Sequence, residues 1–169
     1  MVIGPTLDES SRIILTDKNL HFLDEFKMRF LQLYDDKLVL ETPQYPHVDK
    51  TLKQLHDQGD HLTIVTNKRA YPTYKLIYHY GWHQFFKWIA CMDQYPAATK
   101  KSEMIKQKKI KYQDFSSVFL IGDTLSDAEA ASANNINFIQ ANYGYGKKED
   151  WHSVKIFRTI KKFDEILNL

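Results

Sequence analysis

Asp123 and Asp127 stand one helical turn apart in Gly122-Asp123-Thr124-Leu125-Ser126-Asp127, directly behind the apolar run Ser117-Val118-Phe119-Leu120-Ile121. Two carboxylates so spaced at the end of a buried strand suit a hard divalent cation. Mg²⁺, which keeps several waters and takes one or two carboxylates, matches the donor set. The bland reading of the same pair is a helix N-cap and a first-turn acid complementing the helix dipole. Thr66-Asn67-Lys68 follows a second run, Leu62-Thr63-Ile64-Val65. A hydroxyl and successive backbone N–H groups opening toward a helix can hold a phosphate oxygen, although a turn or cap uses the same residues. Lys100 and Lys101 open a further helical stretch, Ser102-Glu103-Met104-Ile105. A lysine there can reach a strand-end crevice and neutralise a phosphate, or simply be solvated.

Other reactive side chains point to less. His79 and His83 have the spacing of two ligands on one helical face, but Gly81 between them is expected to end the helix. Cys91, the single cysteine, lies in Trp88-Ile89-Ala90-Cys91-Met92 and reads as a packed core thiol. The net charge of +2, from 23 basic and 21 acidic residues, gives no broad nucleic-acid footprint. The basic run Lys106, Lys108, Lys109 and Lys111 reads as a solvated helix face. No apolar run approaches the ~20 residues of a membrane span, and the start Met1-Val2-Ile3-Gly4-Pro5 lacks a cationic region leading into an apolar one. The expectation is a soluble, cytoplasmic protein with no nucleic-acid or membrane partner.

The elements that position these residues follow from periodicity. Leu20, Leu23, Phe26, Phe30, Leu33 and Tyr34 recur mostly at spacings of three and four, which predicts an amphipathic helix from Leu20 to Leu38 with one buried face. Pro43 and Pro46 then break the pattern and suggest a boundary, with a helical part at 1–43 and a core at 44–169. Past them the chain alternates. A helix through Val48, Leu52 and Leu55 stops at Gly59, and the strand Leu62–Val65 follows. A helix from Thr73 to Tyr80, the strand Lys87 to Met92 and a helix from Ser102 come next. The strand Val118–Ile121, the helix Ser126–Asn134, the strand Ile136–Gln140 and a C-terminal helix with Ile160, Phe163, Ile166 and Leu167 complete the series. Continuous apolar strands alternating with helices predict an α/β fold, a doubly wound parallel sheet whose ligands bind beyond the strands' carboxyl ends.

Thr66-Asn67, then Lys100/Lys101, then Gly122-Asp123-x-x-x-Asp127 resembles, in order, motifs two, three and four of the haloacid dehalogenase-like phosphatases, with the phosphoglycolate phosphatase group most similar. Gln44-Tyr45-Pro46-His47-Val48 resembles that group's return from helical cap to core, and Asn142-Tyr143-Gly144-Tyr145-Gly146 its segment after a later strand. The resemblance implies a Rossmann-type core with a partial helical cap and a small phosphorylated substrate. It implies that Thr66 and the amide of Asn67 hold the phosphate, and that Lys101 (with Lys100 as alternative) acts with Thr66 in catalysis. Asp123 and Asp127 would hold Mg²⁺.

The family's nucleophile and acid/base aspartates belong to a D-x-D-x-T motif on the central strand, and the chain contains no paired D-x-D. Setting Gly4-Pro5-Thr6-Leu7 against that motif would put Val2 and Gly4 at the two acidic positions. Ile3-Gly4-Pro5-Thr6-Leu7-Asp8-Glu9-Ser10 instead resembles a segment of the family's helical cap. The expectation is a chain lacking the motif-one strand and inactive by itself, with two exposed strand edges that invite homodimerisation. A non-catalytic phosphate- or metal-binding or interaction module is the alternative. A receiver-like signalling domain, also doubly wound, fits the Thr-Asn, Lys and G-D-x-x-x-D order less well.

Overall fold

The computed structural model describes residues 7–97, 99–109, 118–146 and 150–169. The readings at Val2, Ile3, Gly4, Pro5, Thr6, Ser117 and Lys111, and that of the Lys109 side chain, lie outside these.

The first described segment is helical, in pieces. Helix α1 spans Leu7–Leu15, a 3₁₀ turn covers Asp17–Phe22, and α2 runs from Leu23 to Leu33. A widened π turn over Tyr34–Leu38 and a 3₁₀ turn over Val39–Glu41 follow. The continuous helix expected from Leu20 to Leu38 therefore keeps α geometry only in its middle. The π turn coincides with side chains arriving from elsewhere: the Asp35 carbonyl accepts from Lys75 Nζ at 2.6 Å and its carboxylate from Arg69 at 2.6 Å. The stripe expected to be buried is only half covered. No residue of α2 is buried, and Phe30 and Leu33 remain 41% and 49% exposed, because among the described residues α2 packs along α1 and the turns beside it.

Past Pro43 and Pro46 the chain alternates as expected. Helix α3 (Val48–Asp57) leads through Gly59, at φ 89°, into β1 (Leu62–Thr66). Helix α4 (Ala70–His79) ends at Gly81, at φ 70°, and β2 (Phe86–Cys91) follows. Helix α5 (Lys101–Lys109), β3 (Phe119–Gly122), α6 (Leu125–Ser132), β4 (Asn137–Ala141) and β5 (Arg158–Ile160) complete the core. His83 lies in a 3₁₀ turn, its ring stacked on Tyr78 at 4.9 Å, so it shares no helix with His79. Cys91 is fully buried.

The strands run parallel but form two sheets. β1 pairs with β2, Thr66 opposite Cys91, and β3, β4 and β5 form a second sheet, with Ile121 opposite Ile139 and Ala141 opposite Ile160. Helices cover both faces of the second sheet. Ala128 and Ala131 of α6 pack with Phe138 and Leu120 on one side, and Leu55 of α3 packs with Ile139, Ile160 and Ile166 on the other. The C-terminal helix expected around Ile160 is absent. Ile160 ends β5, and residues Phe163–Asn168 form a 3₁₀ turn that buries Ile166. The helical spacing of these residues instead reflects two separate burials, Ile160 at a strand end and Ile166 in the 3₁₀ turn.

Candidate active site

The carboxyl end of β3 delivers Asp123, and the first turn of α6 delivers Asp127. Thr124 joins them by capping the helix: its hydroxyl accepts from the Asp127 N–H, and Asp127 Oδ2 accepts from the Thr124 N–H at 3.1 Å. The same oxygen accepts from the Asp123 N–H at 3.2 Å and the Thr124 hydroxyl at 2.7 Å. Asp127 Oδ1 pairs with the Lys101 ammonium. Both side chains of that pair are shielded, at 12% exposure for Lys101 and 10% for Asp127. An ion pair so buried is held by its surrounding hydrogen bonds, which the capping threonine provides.

Asp123 is fixed from behind. Its Oδ2 accepts from the Tyr145 N–H at 2.7 Å, and Gly144 lies against its side chain so closely that a Cβ there would overlap the carboxylate. Gly122 stands in the same relation to Asp127. Both glycines are required for close approach. Tyr143, beside Gly144, meets Tyr45 edge to face at 4.8 Å. Burial, with Tyr45 and Asp123 nearby, pushes its phenol up to about 12.

In the other sheet β1 ends in Thr66, whose hydroxyl accepts from the Lys68 N–H at 3.1 Å and retains its own proton to donate. Asn67 Oδ1 is buried and has no hydrogen-bond partner among the described residues. Lys68 reaches back to the helical segment, its ammonium 2.7 Å from the Tyr34 hydroxyl. Helix α5 packs against both β1 and α6, and Lys101 at its start reaches Asp127. Lys100 is exposed at the helix entrance, its N–H bonded to Glu103 at 3.3 Å.

The geometry thus links Lys101, Asp127 and Asp123 directly. Thr66 and Asn67 stand at the end of the neighbouring sheet. As a magnesium site the donor set is partial: Asp123 Oδ2 accepts from Tyr145 and Asp127 commits both of its oxygens, and the described residues contain no cluster of three or more metal-binding side chains. Such a pair still suits Mg²⁺, whose remaining positions are filled by waters and substrate oxygens. Sequence reasoning did not single out the capping by Thr124, the Tyr34–Lys68 contact or the backing role of Gly144. The T-x-x-D spacing at Thr124 and Asp127 was the available signal for the first, and no local pattern announces the long-range Tyr34–Lys68 contact.

The family model described as haloacid dehalogenase-like hydrolase matches residues 1–141. The chain belongs to the haloacid dehalogenase-like hydrolases. Within them it resembles phosphoglycolate phosphatases: that of Psychrobacter arcticus is 28% identical over 146 residues, and that of Nitrosococcus oceani 30% identical over 141. These alignments take in 85% and 83% of this chain but 61% and 63% of the relatives, so the chain spans less than two thirds of their length. The fold matches a haloacid dehalogenase-like family protein from Streptococcus pneumoniae at a TM-score of 0.82 and 23% identity, over 98% of this chain and 77% of that one. It also matches Mycobacterium tuberculosis protein tyrosine kinase A at a TM-score of 0.80 and 19% identity, over 98% of this chain and 77% of that one. A dehalogenase-like fold shared with a kinase by name does not choose a chemistry; the site must.

Proposed function

We propose that the chain is the core of a phosphoglycolate phosphatase-like enzyme that in its complete form hydrolyses a small phosphate ester with Mg²⁺, and that these residues by themselves do not turn over. The observation that carries the reading is the Lys101–Asp127–Asp123 cluster at the end of β3, joined through α5 to the strand ending at Thr66.

In this reading the Thr66 hydroxyl and the Asn67 N–H bind phosphate oxygens at the end of β1. Lys101 offsets the negative charge gathered in transfer, and its pairing with Asp127 fixes the ammonium in the site before substrate arrives. Asp123 and Asp127 provide the acidic side that holds Mg²⁺, whose charge, when bound, counters that of the phosphoryl oxygens. The backing contacts from Tyr145 and Gly144 keep Asp123 in one orientation, which lowers the cost of organising the site around a ligand.

Hydrolysis through an aspartyl-phosphate needs a carboxylate nucleophile and an acid/base partner. The sequence contains no D-x-D to supply them. That observation also favours a second reading, a phosphate- or metal-binding module without turnover. A cytoplasmic location and a small phosphorylated ligand agree with both.

Phosphate release from phosphoglycolate and p-nitrophenyl phosphate with Mg²⁺, run beside calorimetric titration of Mg²⁺ and inorganic phosphate, tests the proposal. The expected result is binding without turnover, with affinity reduced in Thr66→Val and Asp123→Asn. Turnover by the chain alone overturns its inactivity, and absence of any binding to folded protein overturns both readings.

A further inference from the structure

The helical segment meets the core beside the end of β1, and one of the contacts there is unlike the others. Arg69 pairs with the Asp35 carboxylate at 2.6 Å, and Lys75 donates to the Asp35 carbonyl at 2.6 Å. Lys68, which follows Thr66 and Asn67, donates instead to the Tyr34 hydroxyl at 2.7 Å, with its ammonium 5.2 Å from the centre of the same ring. Among the described residues that ammonium has no carboxylate partner. The other acid bonded to this stretch, Asp93, accepts from the Ala70 N–H at 2.8 Å.

A phenol holds a cation without cancelling it. Its oxygen and ring face fix the ammonium but leave the charge uncompensated, and Lys68 is half-buried, where salt and water screen a charge less than at the surface. The Tyr34 hydroxyl, having accepted from Lys68, retains its own proton, for which the described residues offer no acceptor. Phe30 stacks on the Tyr34 ring at 5.8 Å, 7° from parallel, and keeps it in place. Two donors thus stand side by side with no acceptor between them, an arrangement suited to an anion. The Lys68 N–H donates to the Thr66 hydroxyl at 3.1 Å, so this side chain starts next to the group proposed to meet phosphate and ends at Tyr34.

We propose that Lys68 and Tyr34 determine specificity, binding a second acidic group of the phosphate ester that lies within a lysine side chain's length of the phosphate. The inference rests on the phosphatase reading, since it takes the phosphate to lie at Thr66. One uncompensated ammonium matches one negative charge, which favours a carboxylate over a second phosphate. The ester of a plain alcohol would leave both donors facing an apolar group, and a site built to bond a polar group rejects the ligand that lacks it. The pair touches the part of the substrate that does not react, so its effect appears in the choice of ligand. Arg69 and Lys75 differ from it because both are occupied by Asp35.

Calorimetric titration of the full chain with Mg²⁺ present compares phosphoglycolate with ethyl phosphate, which has a methyl group where the former has its carboxylate. The parent chain is expected to bind phosphoglycolate about tenfold or more tightly than ethyl phosphate. Lys68→Met should lower that ratio to about two or less, and Tyr34→Phe should lower it in part. Lys75→Met removes an equal charge from the same contact and should keep the ratio. Because the ratio is taken within each folded variant, a loss of stability does not imitate the effect. Equal binding of the two esters by the parent chain, or a ratio retained in Lys68→Met or Tyr34→Phe, overturns the inference and leaves the phosphatase reading standing. A ratio that falls as far in Lys75→Met overturns it too, since the general charge of the contact would then be responsible. If neither ester binds the folded chain, the phosphatase reading fails and the inference falls with it.

Discussion

The two strand ends that carry the candidate site residues are finished differently. At the end of β3 both carboxylates have partners within the chain: Asp127 is held by Thr124, by the Asp123 amide and by Lys101, and Asp123 by Tyr145. At the end of β1 the Thr66 hydroxyl keeps a proton to donate, and Asn67 Oδ1 is buried without a partner among the described residues. The acidic side is thus organised in advance by its own sequence, while the side proposed to meet phosphate leaves capacity for something else. Internal satisfaction should appear as stability, and unused capacity as ligand dependence.

The largest expected effect tests the first half of that contrast. Asp127→Ala removes the carboxylate half of the capping box and leaves the shielded Lys101 ammonium without its partner, so it should cost about 3–5 kcal/mol in urea unfolding. Lys101→Met removes the charge but leaves Asp127 its three other hydrogen bonds, so it should cost distinctly less. Equal losses would mean that the ion pair, and not the capping network, holds the cluster. A double-mutant cycle between the two positions measures the coupling directly.

Gly144→Ala comes next. Its Cβ would overlap the side chain of Asp123, forcing either the carboxylate or the loop after β4 to move. Overpacking of this kind costs about 1–3 kcal/mol, read as a lower Tm. It should weaken Mg²⁺ binding as well, since Asp123 cannot keep its orientation. A neutral Gly144→Ala would show that the loop yields easily and that the acidic side is less rigid than its contacts suggest.

Which of these features could be read from the chain alone divides along the same line. The alternation of helices and strands from Val48 onward was legible because buried parallel strands are continuous apolar runs and because Gly59 and Gly81 end their helices at positive φ. The order of Thr66, Lys101, Asp123 and Asp127 was legible because each follows a strand or opens a helix. What was hidden rests on distance in sequence: the Tyr34–Lys68 contact and the π turn that accompanies the bonds to Asp35 depend on residues more than thirty positions away. The C-terminal segment misled for a different reason. Ile160, Phe163 and Ile166 have helical spacing, yet the first completes a strand and the last is buried by a 3₁₀ turn.

A pH experiment isolates the outer shell of the acidic side. Tyr143, with its phenol pushed up to about 12 chiefly by burial, stays protonated in the folded chain at pH values where an unfolded tyrosine, near 10, has ionised. The stability associated with it is therefore complete below pH 10 and falls as pH rises from 10 toward 12. Denaturant midpoints across that range should decline less steeply in Tyr143→Phe than in the parent chain. Identical slopes would place Tyr143 in a more solvated setting than its contacts with Tyr45 imply.

The smallest effect on stability is expected at the end of β1, and it decides whether the contrast is real. Thr66→Val removes one acceptor, the oxygen that receives the Lys68 N–H, and should cost only about 0.5–1.5 kcal/mol. Thr66→Ser retains that acceptor and should cost less. Phosphate affinity, in contrast, should fall more for Thr66→Val than for Lys100→Ala, because Thr66 has a hydroxyl proton to offer while Lys100 is exposed at the helix entrance. If Thr66→Val instead destabilises the fold as strongly as Asp127→Ala and leaves phosphate binding intact, the hydroxyl is structural. The end of β1 would then be finished in the same manner as the end of β3, and the division between a self-sufficient side and a ligand-dependent side would disappear.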